Sequence, residues 1–405
     1  MDGASIIEQL MTIEGRSDPY PLYARAHELG PAAPAGPGAV LVVGHAAANQ
    51  VLRNPAFALE DTEDLAADYA ELLAHPSIEL LGRSILQRNA PDHGRVRSLI
   101  ASAFNARRVA ALRPAVEASV HRLLDELADR GADGSPVDFM DAFAFRLPVE
   151  VICELLGVPA ADRFRFRGLV ADLTVVLELV QDFAELAAAD TAATELSAYF
   201  EELSAERLAR PTGDLVSELA RTAVDSPDRI SGEELLSNLV LLLVAGFETT
   251  TNLLGNGLAL LFRHPGAAEG LRTGALDPAL FTDEVLRHDS PVQVTSRIST
   301  APGLDVAGVP APTGTMVFVM LGAANHDPAR YPRPDRFDPT RTDSQPLSFG
   351  GGPHFCLGSR LARLENDIAV PALLDRFPRL APGGVATRRD RLVLRGYETL
   401  PVVTR

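Results

Sequence analysis

The chain has 405 residues, of which 46% are hydrophobic, and a formal net charge of −17 from 54 acidic and 37 basic side chains. A field of this sign repels phosphate backbones and anionic lipids, so the composition argues against nucleic acid and membrane surfaces as partners. The apolar content is enough for a large core, and no linker, charge block or repeat divides the sequence. We therefore expect one domain over residues 1–405.

The N-terminal sequence lacks the basic and apolar segments of a secretory signal. The most apolar run, residues 239–247, is far shorter than the roughly 20 apolar residues that span a bilayer. Cys153 and Cys356 are the two cysteines of the chain, and such sparse usage is typical of a reducing cytosol. We expect a soluble, cytoplasmic protein.

Short elements are predicted at the start of the chain, followed by a long helical region. Residues 20–29 have a helical pattern, and the apolar run 40–43, bounded by glycines, is typical of a buried strand. Residues 46–53 are expected to form a short helix. From residue 95 to about residue 219 apolar residues recur at intervals of three and four, which predicts helix nearly throughout.

The longest predicted helix covers about residues 232–263. Ser231 and Glu234 have the spacing of a capping box at its start, and His264-Pro265 predicts its end. The segment 291–319 then shows short β-like pieces broken by glycine and proline. The whole pattern predicts a mostly α fold with a minor β part.

A last helix is predicted after Cys356, because leucine and isoleucine recur at helical spacing from Leu357 to Ile368. Pro371 lies within the continuation of this pattern. An interior proline costs roughly 3 kcal/mol, so we expect a kink at Pro371 or an early end of the helix.

The segment 349–358, Phe-Gly-Gly-Gly-Pro-His-Phe-Cys-Leu-Gly, carries the most chemical information. Consecutive glycines let the backbone turn tightly and approach a flat ligand closely. Cys356 precedes the predicted helix, whose dipole and free amides favour a thiolate. A lone thiolate cannot complete a zinc site, but it can be the single axial ligand of haem iron. A buried structural cysteine and a nucleophilic cysteine are the alternatives.

This segment resembles the haem-binding signature of the cytochrome P450 family, Phe-Gly-x-Gly-x-[His/Arg]-x-Cys-x-Gly, and it meets every fixed position. The resemblance implies a P450-like fold in a single large domain, mostly α with a minor β part. It implies heme b, with Cys356 as the axial thiolate of the iron. It also places Phe349, His354 and Gly358 at the cofactor, with His354 near a haem propionate.

In the long helix, Ala245-Gly246-Phe-Glu248-Thr249 resembles the oxygen-binding groove of the same family. Small residues at Ala245 and Gly246 leave room for a diatomic ligand. An acid beside a hydroxyl can relay the protons that dioxygen needs before its O–O bond breaks, so Glu248 and Thr249 are the predicted catalytic pair. The alternative is a loosened helix in which the threonine bonds back to its own carbonyl.

Two patterns supply candidate partners for the two haem carboxylates, whose burial without partners costs several kcal/mol each. His93 and Arg97 match the family's His-x-x-x-Arg, although Asn-Ala-Pro precedes them in place of the usual Asp-Pro-Pro. Arg297 matches a further propionate-binding arginine of the family. Together with His354 these residues would supply charge-assisted donors, and an ordinary surface cation is the alternative for each.

The sequence Glu284-Val-Leu-Arg287 matches the family's Glu-x-x-Arg. Pro-Asp-Arg-Phe at residues 334–337 lies between it and the cysteine loop. The order resembles the family's structural triad of a glutamate, an arginine and a later arginine. A solvated ion pair at i, i+3 is the alternative, and we do not predict a catalytic role for these residues.

Aliphatic side chains in four segments are predicted to contact the substrate. The candidates are Leu86, Val176, Leu241, Val244, Val292 and Val294. Their character points to an apolar or amphipathic molecule, although core packing is the alternative for each one. The Ala-, Arg- and Pro-rich composition favours a secondary-metabolite intermediate.

The resemblance implies a monomeric haem-thiolate monooxygenase that activates O2 and hydroxylates or epoxidises its substrate. Because no flavin or nicotinamide segment is predicted, a separate ferredoxin and ferredoxin reductase would supply the electrons. The ferredoxin would dock on the cysteine side with the help of Arg107, Arg108, Arg360 and Arg363, for which ordinary surface arginines are an equal alternative. Haem-thiolate coupling, rearrangement or peroxygenase chemistry and a non-catalytic haem sensor are the other functions consistent with the cysteine loop.

Overall fold

The computed structural model describes residues 1–60, 72–179 and 183–405. It is 59% helix and 9% strand, which confirms the mostly α fold with a minor β part. The chain forms two compact units. The first contains Met1–Ala58, Val120–Ala144 and Thr249–Arg405, and the second contains Leu59–Ser119 and Phe145–Glu248.

The helices are numbered in chain order. They are α1 (Gly3–Leu10), α2 (Ile13–Ser17), α3 (Tyr20–Glu28), α4 (His45–Arg53), α5 (Pro76–Gly82), α6 (Asp92–Ala101), α7 (Ala106–Arg130), α8 (Arg146–Leu156), α9 (Phe166–Leu173), α10 (Leu186–Ala209), α11 (Leu215–Asp225), α12 (Gly232–Arg263), α13 (Pro265–Arg272), α14 (Pro278–His288), α15 (Leu321–Ala324) and α16 (Ser359–Arg376). The boundary between the two units falls within α7 and within α12.

The strands all belong to the first unit, and the described part of the second unit contains none. They are β1 (Ala32–Pro34), β2 (Ala39–Val42), β3 (Phe57–Ala58), β4 (Val137–Asp138), β5 (Thr295–Ser299), β6 (Asp305–Val306), β7 (Val309–Pro310), β8 (Met316–Val319), β9 (Ala381–Pro382), β10 (Thr387–Arg388), β11 (Tyr397–Thr399) and β12 (Pro401–Val403). The predicted β-like pieces of residues 291–319 correspond to β5 through β8.

The main sheet of the first unit has the strand order β1-β2-β8-β5-β3. Strands β2 and β8 are parallel, with Val40 opposite Val317, and the other neighbours are antiparallel. Val42 and Val319 are fully buried in a cluster with residues of α4, including Ala48. This apolar packing explains why the short run predicted as a strand becomes β2, in a central position of the sheet.

Helix α12 has the bounds that the sequence predicts. The capping box forms in both directions: Ser231 N–H donates to Glu234 Oε2 at 2.8 Å, and Glu234 N–H donates to Ser231 Oγ at 3.1 Å. By length and composition alone this helix could cross a membrane, but 83% of its most apolar window is buried inside the protein. Burial of that kind is typical of a core helix.

Helix α16 corrects one expectation. It continues through Pro371 to Arg376, so the predicted early end does not occur. Buried apolar side chains lie on both sides of the proline, Val370 before it and Leu373 and Leu374 after it. Their packing offsets the hydrogen bond that proline cannot donate. The predicted kink at Pro371 stays a prediction.

The Glu-x-x-Arg of α14 is a fully buried ion pair rather than a solvated one. Arg287 Nε and Nη2 donate to the two carboxylate oxygens of Glu284, each at 2.8 Å, and both side chains are at most 1% exposed. The remaining donors of Arg287 reach the main-chain carbonyls of Asn325, Pro334 and Arg336 at 2.9–3.1 Å. One guanidinium therefore joins α14 to two later segments of the first unit.

The later arginine of the triad is Arg341. Its Nε lies 3.6 Å from Glu284 Oε1, whereas Arg336 contributes only its carbonyl oxygen. Asp338 N–H also donates to Glu284 Oε1, at 2.7 Å. The resemblance to the family implied a later arginine, and the structure identifies which residue it is.

Two histidines of the first unit, the buried His326 and the partly buried His288, lie next to this ion pair. Burial, followed by the positive charge of Arg287, lowers the pKa of His288 to about 4 and that of His326 to about 3. Their rings lie 5.4 Å apart, centroid to centroid. Both histidines are therefore neutral in the folded protein at pH values where an exposed histidine is charged.

We predict that the free energy of unfolding falls as the pH is lowered from 6.5 towards 4. In that window the unfolded chain binds a proton on His326 that the folded chain does not, so each such histidine contributes a slope of about 1.4 kcal/mol per pH unit. Urea denaturation at several pH values should show a flatter dependence for His326→Asn than for the parent. His121→Asn, at an exposed position, should leave the slope unchanged, and an unaltered slope in the His326 variant would contradict the assignment.

Candidate active site

The cysteine loop is a tight turn of the first unit. Gly350 and Gly352 have positive φ values of 69° and 65°, which disfavour any residue with a side chain. A Cβ atom on Gly352 would lie 2.2 Å from the carbonyl oxygen of Leu52 in α4. The loop closes where Cys356 N–H donates to Phe349 O at 3.0 Å. The glycines are therefore required by backbone geometry and by the close approach of α4.

The sulfur-bearing residue is accessible. Cys356 is exposed, and α16 begins shortly after it at Ser359. A Cβ on Gly358 would lie 3.9 Å from Cys356 Sγ, so Gly358 keeps the space beside the sulfur open.

An aromatic pair lies in the same loop. The rings of Phe349 and Phe355 are 6.4 Å apart in an edge-on arrangement, and Phe355 is 41% exposed. The guanidinium of Arg363 lies over the Phe349 ring at 4.7 Å and also pairs with Asp283 at 2.9 Å. Phe349 therefore has a fixed position behind the cysteine. His354 is partly buried and belongs to the same loop, where it ends a short 3₁₀ turn.

The start of the loop is tied to the buried ion pair through two residues that the sequence analysis missed. Asn325, whose carbonyl accepts from Arg287, receives Leu347 N–H on its side-chain oxygen at 2.7 Å. Its amide nitrogen donates to Ser348 Oγ at 3.0 Å, and Ser348 Oγ donates to Leu286 O at 2.5 Å. No local motif marks Asn325 or Ser348, because their partners lie far away in the sequence.

Arg297, on β5, is a buried cation. It is 5% exposed, and its Nη1 donates to Ser296 O at 2.6 Å and to Thr295 Oγ1 at 3.1 Å. Burial lowers its pKa to about 10. Within the described ranges no carboxylate forms an ion pair with it. A buried guanidinium of this kind fits an acidic group of a ligand, such as a haem propionate.

In the second unit, α6 presents His93 and Arg97 one helical turn apart. His93 is 5% exposed, and Arg97 is half-buried. Burial, and then the charge of Arg97, lowers the pKa of His93. A neutral imidazole beside a guanidinium offers two different hydrogen-bond donors on one helix face, as the predicted binding of a carboxylate requires.

The middle of α12 has an accessible face within a buried stretch. Ala245 is exposed and Thr249, one turn later, is partly exposed, whereas Val244 and Phe247 are 1% exposed. Glu248 is buried, at 4% exposure. These exposures agree with the predicted arrangement, in which Ala245 and Thr249 face a ligand and the Glu248 carboxyl lies inside the protein.

Gly246 has a packing role in addition to the predicted one. A Cβ at this position would lie 2.5 Å from Cγ1 of Ile152 in α8, within the second unit. The sequence predicts that Gly246 leaves room for a diatomic ligand. The structure shows that close contact between two helices also requires a glycine here.

The predicted substrate-lining residues differ in accessibility. Leu86 is 37% exposed, and Val176 and Val292 are partly buried. Leu241, Val244 and Val294 are at most 6% exposed, as core residues are. Residues 180–182, shortly after Val176, lie outside the described residues. Exposure therefore favours the first three as ligand contacts.

Comparison with known proteins agrees with this geometry. The family model described as cytochrome P450 matches residues 280–392, which include the buried ion pair and the cysteine loop. Cytochrome P450 monooxygenase PikC of Streptomyces venezuelae is 39% identical over 397 residues, which are 95% of this chain and 91% of PikC. The 6-deoxyerythronolide B hydroxylase of Saccharopolyspora erythraea is 37% identical over 95% of this chain and 96% of its own length.

Among solved structures, P450BioI in complex with hexadec-9Z-enoic acid ligated acyl carrier protein superimposes with a TM-score of 0.88. That structure is 32% identical in sequence and covers 96% of this chain and 99% of its own. Identities of this size over nearly the whole length show that the chain shares its fold and family with these proteins. The chain belongs to the cytochrome P450 family and is one of its haem-thiolate monooxygenases.

Proposed function

We propose that this monooxygenase takes electrons from a separate ferredoxin and ferredoxin reductase and hydroxylates or epoxidises an apolar or amphipathic small molecule of secondary metabolism. The observation that supports its site most strongly is the combination of an exposed Cys356 in a fixed loop with a buried Arg297 that pairs with no described carboxylate. Two relatives support the reaction class by name, a monooxygenase and a hydroxylase. The aliphatic candidate contacts support an apolar substrate.

The proposed roles follow from the chemistry of each side chain. Cys356 would hold the haem iron through its thiolate, and the haem with this ligand would supply the chemistry of oxygen activation. Arg297, Arg97, His93 and His354 donate charge-assisted hydrogen bonds to the haem carboxylates. These bonds let a protein with a net charge of −17 retain an anionic cofactor.

Glu248 and Thr249 are proposed to deliver protons. Glu248 is buried inside the protein, whereas Thr249, the next residue, is partly exposed at the accessible face of α12. Ala245, one turn earlier on the same face, leaves space for the small reactant. A positioned acid beside a hydroxyl would deliver protons at a defined place without opening the site to bulk water.

We assign residues 1–405 to one functional haem-thiolate domain that acts as a monomer in the cytoplasm.

Four arginines are proposed to help ferredoxin dock. Two of them form ion pairs within the protein, Arg363 with Asp283 and Arg108 with Glu218. Arg107 and Arg360 are exposed, so we assign them the larger share of the docking charge.

The thiolate assignment is tested by replacing each cysteine with serine. Cys356→Ser should abolish the red-shifted Soret band of the ferrous carbon monoxide complex, because the hydroxyl is a far weaker electron donor than a thiolate. Cys153→Ser should keep the band: Cys153 is buried in α8, and burial raises the pKa of its thiol to about 12. A normal band in the Cys356 variant would refute the proposed ligation.

The propionate assignment is tested at Arg297. Arg297→Met should accelerate transfer of haem to an acceptor globin by roughly 10- to 100-fold, because a hydrogen bond to a charged group contributes about 1.5–3 kcal/mol. Arg25→Met, at an exposed arginine on α3, should leave the transfer rate unchanged. Equal haem retention in the two variants would count against a role for Arg297.

The proton-delivery assignment is tested with a substrate found by screening for the change in iron spin state. Glu248→Gln keeps the shape of the side chain but removes its acidic proton, so product formation should fall by roughly 100-fold. The hydrogen peroxide formed per NADH should rise in parallel. Glu218→Gln, at a half-exposed glutamate of α11, should form as much product per NADH consumed as the parent enzyme. If the Glu248 variant also formed as much product per NADH as the parent, the proposed role would be excluded.

A further inference from the structure

The segment before α6 is held by a buried side chain of α12. Ile85 N–H donates to Asn238 Oδ1 at 3.0 Å, and Asn238 is fully buried. The other end of the same amide is also used, since Asn238 Nδ2 donates to Glu234 O at 2.7 Å. Asn238 therefore links the first turns of α12 to a loop that carries candidate substrate contacts.

One turn earlier, α12 also holds α6. Arg95 donates to both carboxylate oxygens of Glu234, at 2.6 and 3.1 Å, and to Arg229 O at 2.8 Å. Burial raises the pKa of Glu234, but hydrogen bonds from Arg95 and the Ser231 amide outweigh it, and the pKa lies below its usual value. The carboxylate is thus charged and fixed at neutral pH.

Glu234 and Asn238 are four residues apart, so they lie on one face of α12 in successive turns. Ala245, at the accessible position, follows Asn238 by two turns on that face. The helix that carries the proposed proton donors therefore also sets the position of α6 and of the Ile85 backbone. All of these contacts lie within the second unit.

The bond to Ile85 determines where two apolar side chains lie. Ile85 is 7% exposed, whereas its neighbour Leu86 is 37% exposed, so the two side chains lie on opposite sides of this segment with respect to the core and solvent. Displacing this segment would leave the Ile85 N–H and the Asn238 amide without their partners, which is unfavourable in a buried site. The segment is thereby restricted to one position.

We propose that Asn238 is a positioning residue that sets the placement of Ile85 and Leu86 and so determines the affinity of the enzyme for bulky apolar ligands. The inference rests on the proposed function, because it takes Leu86 as a substrate contact. Asn238 itself touches neither substrate nor cofactor in this proposal. It acts through the main chain of Ile85.

The test compares two iron-binding probes on the haem-loaded enzyme, imidazole and econazole, by titration of the Soret band. Both bind through an azole nitrogen, but econazole has a large apolar body that must contact the lining. Asn238→Ala should weaken econazole binding by about tenfold, or about 1.4 kcal/mol. Imidazole affinity should stay within about twofold, because the iron and its ligand are unchanged.

Two further variants isolate the bond to Ile85. Asn238→Ser can still donate to Glu234 O but is too short to reach Ile85, so it should repeat the loss of econazole affinity. Asn238→Asp keeps the acceptor for the Ile85 N–H but loses the donor to Glu234 O, so it should retain more econazole affinity than Asn238→Ser without reaching the parent value. If Asn238→Ala does not retain haem, the comparison of econazole with imidazole is made on these two variants instead.

Asn256→Ala is the matched control. Asn256 is the same residue type, is also fully buried on α12, and donates to Asp289 O and Arg395 O in the first unit. Its loss should lower the melting temperature without changing the ratio of the two dissociation constants. An unchanged ratio in Asn238→Ala, or an equal change in the Asn256 variant, would overturn the inference. If the proposed thiolate site were wrong, the parent enzyme would lack the red-shifted Soret band of its ferrous carbon monoxide complex, whatever the econazole result.

Discussion

The bidentate ion pair between Glu284 and Arg287 is the constraint on which the cysteine loop depends. Two charges at most 1% exposed carry a large desolvation cost, which only full hydrogen bonding can offset. The structure meets this condition: the donors of Arg287 reach Glu284 and three main-chain carbonyls. Because the carbonyls belong to separate segments, satisfying one guanidinium fixes several parts of the first unit together.

The constraint reaches the sulfur through short steps. Asn325 accepts from Arg287 with its carbonyl and holds Leu347 and Ser348 with its side chain. Beyond Ser348 the chain enters the glycine turn, whose positive φ values leave few alternative conformations, and Cys356 N–H bonds back to Phe349 O. A ligand to iron must be held within a fraction of an ångström, and a loop anchored at its start by buried hydrogen bonds and closed by its own backbone bond provides that accuracy.

The sequence predicts the parts of this arrangement that are encoded locally. The capping box and the His-Pro end locate α12, because each is a short pattern with its own physical cause. The glycine loop draws attention to Cys356, but the prediction that it binds haem came from the family resemblance. Asn325 and Ser348 escape such reasoning, since Asn325 lies 38 residues from Arg287 and Ser348 lies 62 residues from Leu286. The same holds for Pro371, where packing on both sides of the proline outweighs its local helix-breaking tendency.

Four buried arginines of the described residues differ in whether a carboxylate of the protein neutralises their charge. Arg207 pairs with Asp214, Arg287 with Glu284 and Arg395 with Asp289, at 2.8–2.9 Å. Burial lowers the pKa of Arg395 as well, but Tyr20 and Asp289 outweigh that effect and raise it. Arg297 is buried to a similar extent, but no carboxylate among the described residues faces it, and its pKa is lowered to about 10. A cation desolvated without a counter-charge is unfavourable for the protein alone, so its free energy favours binding of an anion there. That preference follows from charge and burial alone, independently of the family resemblance, and it is the property a haem carboxylate would use.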